Sequence, residues 1–209
     1  MKFSSPFFTP WIGRLYGSRD SILRKRVMVV GASHYCGNGC RDCGDAKAHP
    51  ECAVFTQDVV RDYLSDNYSG DWKKTFTTFI NSAFGRATSA EERARFMDSI
   101  VFMNFLQRAE GRDADEKHDE YFNAPAHVEA FKATLAKCRP DVVVTWGSRV
   151  WNAIPWDLGF GKAEKVADDI FRYPFEDRSF LLVGLHHPSI GYPSDASHQL
   201  LARAGAAVE

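Results

Sequence analysis

The sequence predicts an α/β fold of three layers, in which helices cover both faces of a central four-stranded, mainly parallel sheet. Two observations carry this. Four short apolar runs rich in β-branched residues (Val27 to Val30, Ile100 to Met103, Val142 to Thr145 and Phe180 to Leu185) show little polar alternation, as strands buried on both faces do. Helical patterns fill the intervals, and regular alternation of strand and helix is the signature of a parallel sheet.

The helices follow from apolar residues at three- and four-residue spacing. They are predicted at Val54 to Tyr63, Lys73 to Phe84, Ala90 to Met97, Pro125 to Cys138 and Arg149 to Ile154, with Ser194 to Ala206 as a last helix. Gly111 to Asn123 is charged and without apolar period, so it is expected to be a loop. No repeat or low-complexity tract interrupts the pattern. A chain of 209 residues suits one domain spanning 1–209, with a cysteine-rich loop at about 36–52.

Lys and Arg (26) nearly balance Asp and Glu (27), so no global charge draws the protein to a polyanion or a membrane, and any DNA contact needs a local basic face. No apolar run approaches the roughly 18 residues needed to span a bilayer. Met1 to Pro10 lacks the basic and apolar regions of a secretory signal. A cytoplasmic monomer without membrane contact is the expectation.

The proposed strand ends carry chemistry. LLVGLHHPSIGY, residues 181 to 192, runs a buried-strand pattern straight into His186 and His187, and open α/β sheets bind ligands outside the carboxyl ends of their strands. The first strand ends in Gly31, Ala32, Ser33, His34 and Tyr35, the second in Asn104, and the third in Trp146 and Gly147. Each residue alone has an ordinary structural explanation. A glycine, an amide and an imidazole on one edge together favour a site.

The order of these motifs resembles the uracil-DNA glycosylase superfamily, in which G-x-D/N-P-Y follows strand one, Asn ends strand two, a WG-type pair ends strand three and HPS follows strand four. Here the matches are GASHY (Gly31 to Tyr35), VFMNF (Val101 to Phe105), VVVTWG (Val142 to Gly147) and HHPS (His186 to Ser189). The resemblance covers most of the chain from about Val27 and implies cleavage of the N-glycosidic bond of a base extruded from DNA. By that likeness His187 stabilises the departing base, Asn104 reads its edge, Tyr35 crowds its C5 position, Gly31 and Ser189 belong to the pocket, and Phe55 is the stacking platform. Phe55 reads equally well as a core residue opening a helix. The sequence departs from the family where the water-positioning group belongs, since Ala32 and Ser33 replace it. Ser33 or His34 is then the candidate to hold water, with Asp45 or Asp58 as further possibilities.

Cys36, Cys40, Cys43 and Cys52 lie within seventeen residues among glycines, out of five cysteines in all. Four thiolates satisfy tetrahedral zinc, with His49 as a substitute ligand and with an iron–sulfur cluster or reduced structural cysteines as the alternatives. Glycosylases of the superfamily that carry a four-iron cluster space their cysteines differently. Cys138 reads as a buried apolar residue. The C-x3-C-x2-C spacing of the first three also matches radical S-adenosylmethionine enzymes, although Asp42 replaces their usual aromatic and too few strands are visible for their barrel.

DNA contacts are expected from Arg108 and Arg112, together with Arg41 and Arg149, beyond the strand ends, and from Tyr192 as a wedge after HPS. The favoured function is a DNA glycosylase acting on uracil or a modified pyrimidine such as those of phage DNA, in repair or in defence. The alternatives are a non-catalytic zinc-containing DNA-binding module and a radical S-adenosylmethionine enzyme.

Overall fold

Burial on both faces explains the apolar runs. In the computed structural model, which describes residues 3–37, 49–65, 70–112, 117–189 and 191–208, nine strands form. They are Trp11–Ile12 (β1), Val27–Gly31 (β2), His34–Tyr35 (β3), Ile100–Asn104 (β4), Ala109–Gly111 (β5), Val142–Trp146 (β6), Glu164–Ala167 (β7), Ile170–Phe175 (β8) and Arg178–Leu185 (β9). The helices are Phe55–Leu64 (α1), Lys73–Phe84 (α2), Ala90–Asp98 (α3), Pro125–Cys138 (α4), Ser148–Ala153 (α5) and Ser194–Ala204 (α6).

Every residue of β2, β4 and β6 is buried. These three and β9 are parallel neighbours in the order β4-β2-β6-β9. Alternate side chains serve opposite faces, as the two-residue period of a strand requires. Val27, Val29, Val142 and Val144 pack with α1, α2, α3 and α6, while Met28, Val30, Val143 and Leu182 pack with α4 and α5. Ser89 starts α3 with a reciprocal cap: its hydroxyl accepts from Glu92 N at 3.2 Å, and Glu92 Oε2 accepts from Ser89 N at 2.8 Å.

The sheet has seven strands, not the four expected, because β1 adds antiparallel to β4, and β8 and β7 add antiparallel beyond β9. These additions have physical reasons for being invisible in sequence. Two-residue β1 is too short to show a period. β8 is only half buried, and its Pro174 lies beyond the residues that pair with β7, where a missing N–H is tolerated. A second, two-stranded parallel sheet joins β3 to β5. Gly111 to Asn123 is not wholly loop: it begins at the end of β5 and closes in a 3-10 turn, Asp119–Asn123, that buries Phe122. Among the described residues no helix is long and apolar enough to cross a membrane.

Asp141 ties the amino-terminal edge of the parallel strands together. Its carboxylate accepts from Arg26 N at 2.9 Å and Arg26 Nη2 at 3.0 Å, and from Arg178 Nη2 at 2.9 Å. Partial burial opposes ionisation, but these bonds outweigh it and hold the Asp141 pKa below its ordinary value. A depressed carboxylate contributes stability that is complete above the unfolded-state pKa, about 4, and fades as pH falls through the folded value. Asp141→Asn is therefore expected to lower the unfolding midpoint at neutral pH and to lose less stability than wild type on acidification below about pH 4, measured by denaturant titration at several pH values.

Candidate functional site

The sheet order sends the chain from β2 outward to β4 and then back across to β6, so the carboxyl ends of β2 and β6 mark a topological switch point, the place where open α/β sheets form a crevice. A cleft of about 1180 Å³ opens there and extends over the ends of β4 and β9. Its floor is aromatic: Phe76, Phe102 and Trp146 pack with ring centroids 5.1 to 5.3 Å apart. The buried Trp146 indole nitrogen has no hydrogen-bond partner among the described residues.

Gly31 and Asn104 are brought together by register, since β2 and β4 pair Gly31 opposite Asn104. A Cβ on Gly31 would stand 2.3 Å from Asn104 Oδ1, so the carboxamide lies across the glycine and only a residue without a side chain admits it. The backbone carbonyl of Asn104 accepts from Gln107 Nε2 at 3.0 Å, whereas its carboxamide, on a residue 7% exposed, has no protein partner among the described residues. Its amide atoms keep solvent contact through the cleft, where a ligand can pair them.

His187 reaches the same cleft from β9. The Gly147 N–H donates to Leu185 O at 2.8 Å, and Ser189 N donates to His187 O at 2.7 Å, which turns the chain sharply. Gly147 has φ +89°, and a Cβ there would lie 3.3 Å from His187 Cβ, so the glycine leaves the space in which the histidine is seated. Desolvation, helped by Lys117, holds the His187 pKa below the ordinary imidazole value although the ring keeps solvent contact. The imidazole is neutral near physiological pH, with one nitrogen a donor and the other an acceptor.

Phe55, the first residue of α1, is half-buried on the cleft wall. Its ring stacks on His34 at 4.6 Å and 16°, and Phe8 meets His34 edge-on at 4.8 Å. His34 lines the cleft as well but is itself buried, its Nε2 lies 2.8 Å from Thr56 Oγ1, and burial pushes its pKa down to about 3. Its stacking also holds the Phe55 ring in place.

Ser33 and Tyr35 also line the cleft. The Ser33 hydroxyl donates to Glu110 Oε2 at 2.6 Å. Glu110 is 2% exposed and fully partnered: Oε1 accepts from His118 N at 2.7 Å, and Arg149 bridges both oxygens, with Nη1 3.0 Å from Oε2. Burial opposes its charge, but the bonds from Arg149, Ser33 and His118 prevail and hold its pKa below the usual carboxylate range. Sequence reasoning missed Glu110, which stands in a three-residue strand between charged neighbours with no period to mark it. Of the carboxylates suggested instead, Asp58 pairs with Arg61 at 2.7 Å on the surface, and Asp45 lies outside the described residues.

No protein-family model matches the chain, and no curated protein matches it.

The expected DNA-contacting residues divide. Tyr192 lines the cleft but is half-buried, its hydroxyl 3.5 Å from Ser82 Oγ, and exposed Ser189 lines it nearby. Arg149 lines it as well, neutralised by Glu110 and by Asp119 at 2.6 Å. Arg108 lies over the Tyr121 ring at 4.0 Å and, like exposed Arg112, is not part of the cleft wall. Lys117, not singled out from sequence, is on the wall, and Arg41 lies outside the described residues.

Cys36 follows β3, and Cys52 sits in the 3-10 turn Pro50–Val54; Cys40 and Cys43 lie outside the described residues. Among the described residues no three His, Cys, Asp or Glu side chains gather as a metal site.

An unpartnered amide, a neutral imidazole and an aromatic floor suit a planar heterocycle with polar edges. The His187 environment has a direct check. NMR titration should place its pKa below that of free histidine, and Lys117→Ala should move it upward by removing a neighbouring positive charge.

Proposed function

We propose that the protein is a DNA glycosylase similar to the uracil-DNA glycosylase superfamily, hydrolysing the N-glycosidic bond of an extruded pyrimidine and leaving an abasic site. The observation that carries this reading is the convergence of Asn104 and His187, 83 positions apart in the chain, on one aromatic-floored cleft at the sheet's switch point. Glycosidic cleavage leaves an oxocarbenium-like sugar and a base bearing negative charge. A neutral imidazole N–H aimed at that developing charge stabilises the transition state without itself carrying a proton to lose. The Asn104 carboxamide offers a donor and an acceptor to the base edge, and Phe55, braced by His34, offers the ring on which the base stacks.

The proposed base is uracil or a modified pyrimidine, received in this cleft of about 1180 Å³. We place the enzyme in the cytoplasm as a monomer acting on DNA, in repair or against modified foreign DNA. Zinc on Cys36, Cys40, Cys43 and Cys52 is the proposed structural metal, an iron–sulfur cluster being the alternative.

The decisive measurement is mass spectrometry of bases released from uracil-containing, natural and phage DNAs. Wild type should release one class of base, and His187→Ala should slow that release by about 10²–10³-fold in single turnover. Release by neither protein, with DNA binding intact, would instead establish a non-catalytic binding module. Metal analysis of the purified protein should find about one zinc per chain, diminished by Cys36→Ser; a brown, iron-containing protein would replace zinc with a cluster.

A further inference from the structure

We infer that Glu110, acting through Ser33, positions the attacking water and receives its proton, an assignment that rests on the glycosylase reading. The geometry is specific. Ser33 lines the cleft, and its hydroxyl spends its one hydrogen on Glu110 Oε2, 2.6 Å away. A hydroxyl whose hydrogen is committed in this way has only lone pairs left to offer, to the neighbouring Tyr35 hydroxyl and to water in the cleft. It therefore accepts a hydrogen bond from water and turns the water's own lone pair away from the serine, toward the reacting sugar. The carboxylate that the first motif lacks is thus supplied from β5, through the small sheet in which Tyr35 pairs opposite Gly111.

Glu110 is locked for this task by Arg149 and the His118 N–H, which leave it charged but fixed in direction. A positioned acceptor is what the reaction needs, because an oxocarbenium-like carbon demands little nucleophilic strength from water. The C1′–N bond breaks with its electron pair on the departing base, and a water lone pair forms the C1′–O bond. One water proton passes to Ser33 Oγ as the serine's hydrogen moves to Glu110 Oε2, and Glu110 later releases that proton to solvent through the same serine. The oxygen newly bonded to C1′ is strongly acidic, so even a carboxylate paired with arginine suffices as acceptor.

Ser33 is a positioning group for water and Glu110 a positioning residue behind it, so the test separates rate from binding. On the DNA from which wild type releases a base, Ser33→Ala should lower kcat by about tenfold or more with KM changed less than about twofold, and Ser33→Thr, which keeps the hydroxyl, should restore most of the rate. Glu110→Gln should show the same kcat loss. Should it fail to fold because Arg149 loses its partner, the Ser33 pair, which removes a single hydroxyl from the cleft wall, carries the test alone. A Ser33→Ala protein as fast as wild type, beside a slow His187→Ala, overturns the Glu110–Ser33 assignment and leaves the glycosylase standing. A wild-type protein that releases no base from any DNA overturns both.

Discussion

The in-register parallel pairing of β2 with β4 and β6 is the constraint on which the molecule depends. It aligns Gly31 with Asn104 and, on the other side, brings β6 level with β9, so residues from four separate stretches end at one edge. A slip of one residue would turn every side chain to the opposite face. Burial on both faces makes such a slip costly, since Val29 and Val30 already serve different cores. The same packing that stabilises the sheet therefore sets the position of the cleft residues.

Two glycines turn this alignment into a site. Gly31 leaves room for the Asn104 carboxamide, and Gly147, in the left-handed region, leaves room for the His187 stem. Both are places where backbone must come close to a polar side chain. The two polar centres of the cleft then contrast. Glu110 is saturated with donors and fixed in direction, while the Asn104 carboxamide has no protein partner among the described residues. A saturated group orients its neighbours, and an unpartnered one waits for a ligand; the proposed chemistry uses each accordingly.

Electrostatics inside the cleft are restrained. Arg149, which shares the Glu110 carboxylate with Ser33, is offset by Glu110 and Asp119, which leaves Lys117, among the described residues, as the cleft-lining cation that biases His187 toward its neutral form. The proposed catalysis therefore relies on oriented dipoles and a neutral imidazole more than on net positive charge, in keeping with a chain whose acidic and basic residues nearly cancel.

The four parallel strands and all six helices were legible in the sequence, because continuous burial and helical spacing are properties of local pattern. Lys73–Phe84 and Pro125–Cys138 form over the predicted residues. Gly31, Asn104 and His187 were legible as strand ends for the same reason. The antiparallel additions β1, β7 and β8 were not, since short or half-exposed strands take their stability from the neighbour they join. Tertiary structure alone decided the rest. It moved His34 beneath Phe55, drew Arg149 onto Glu110, and brought Glu110 behind Ser33 across 77 positions of chain, because hydrogen bonds between distant segments leave no periodic trace in either segment.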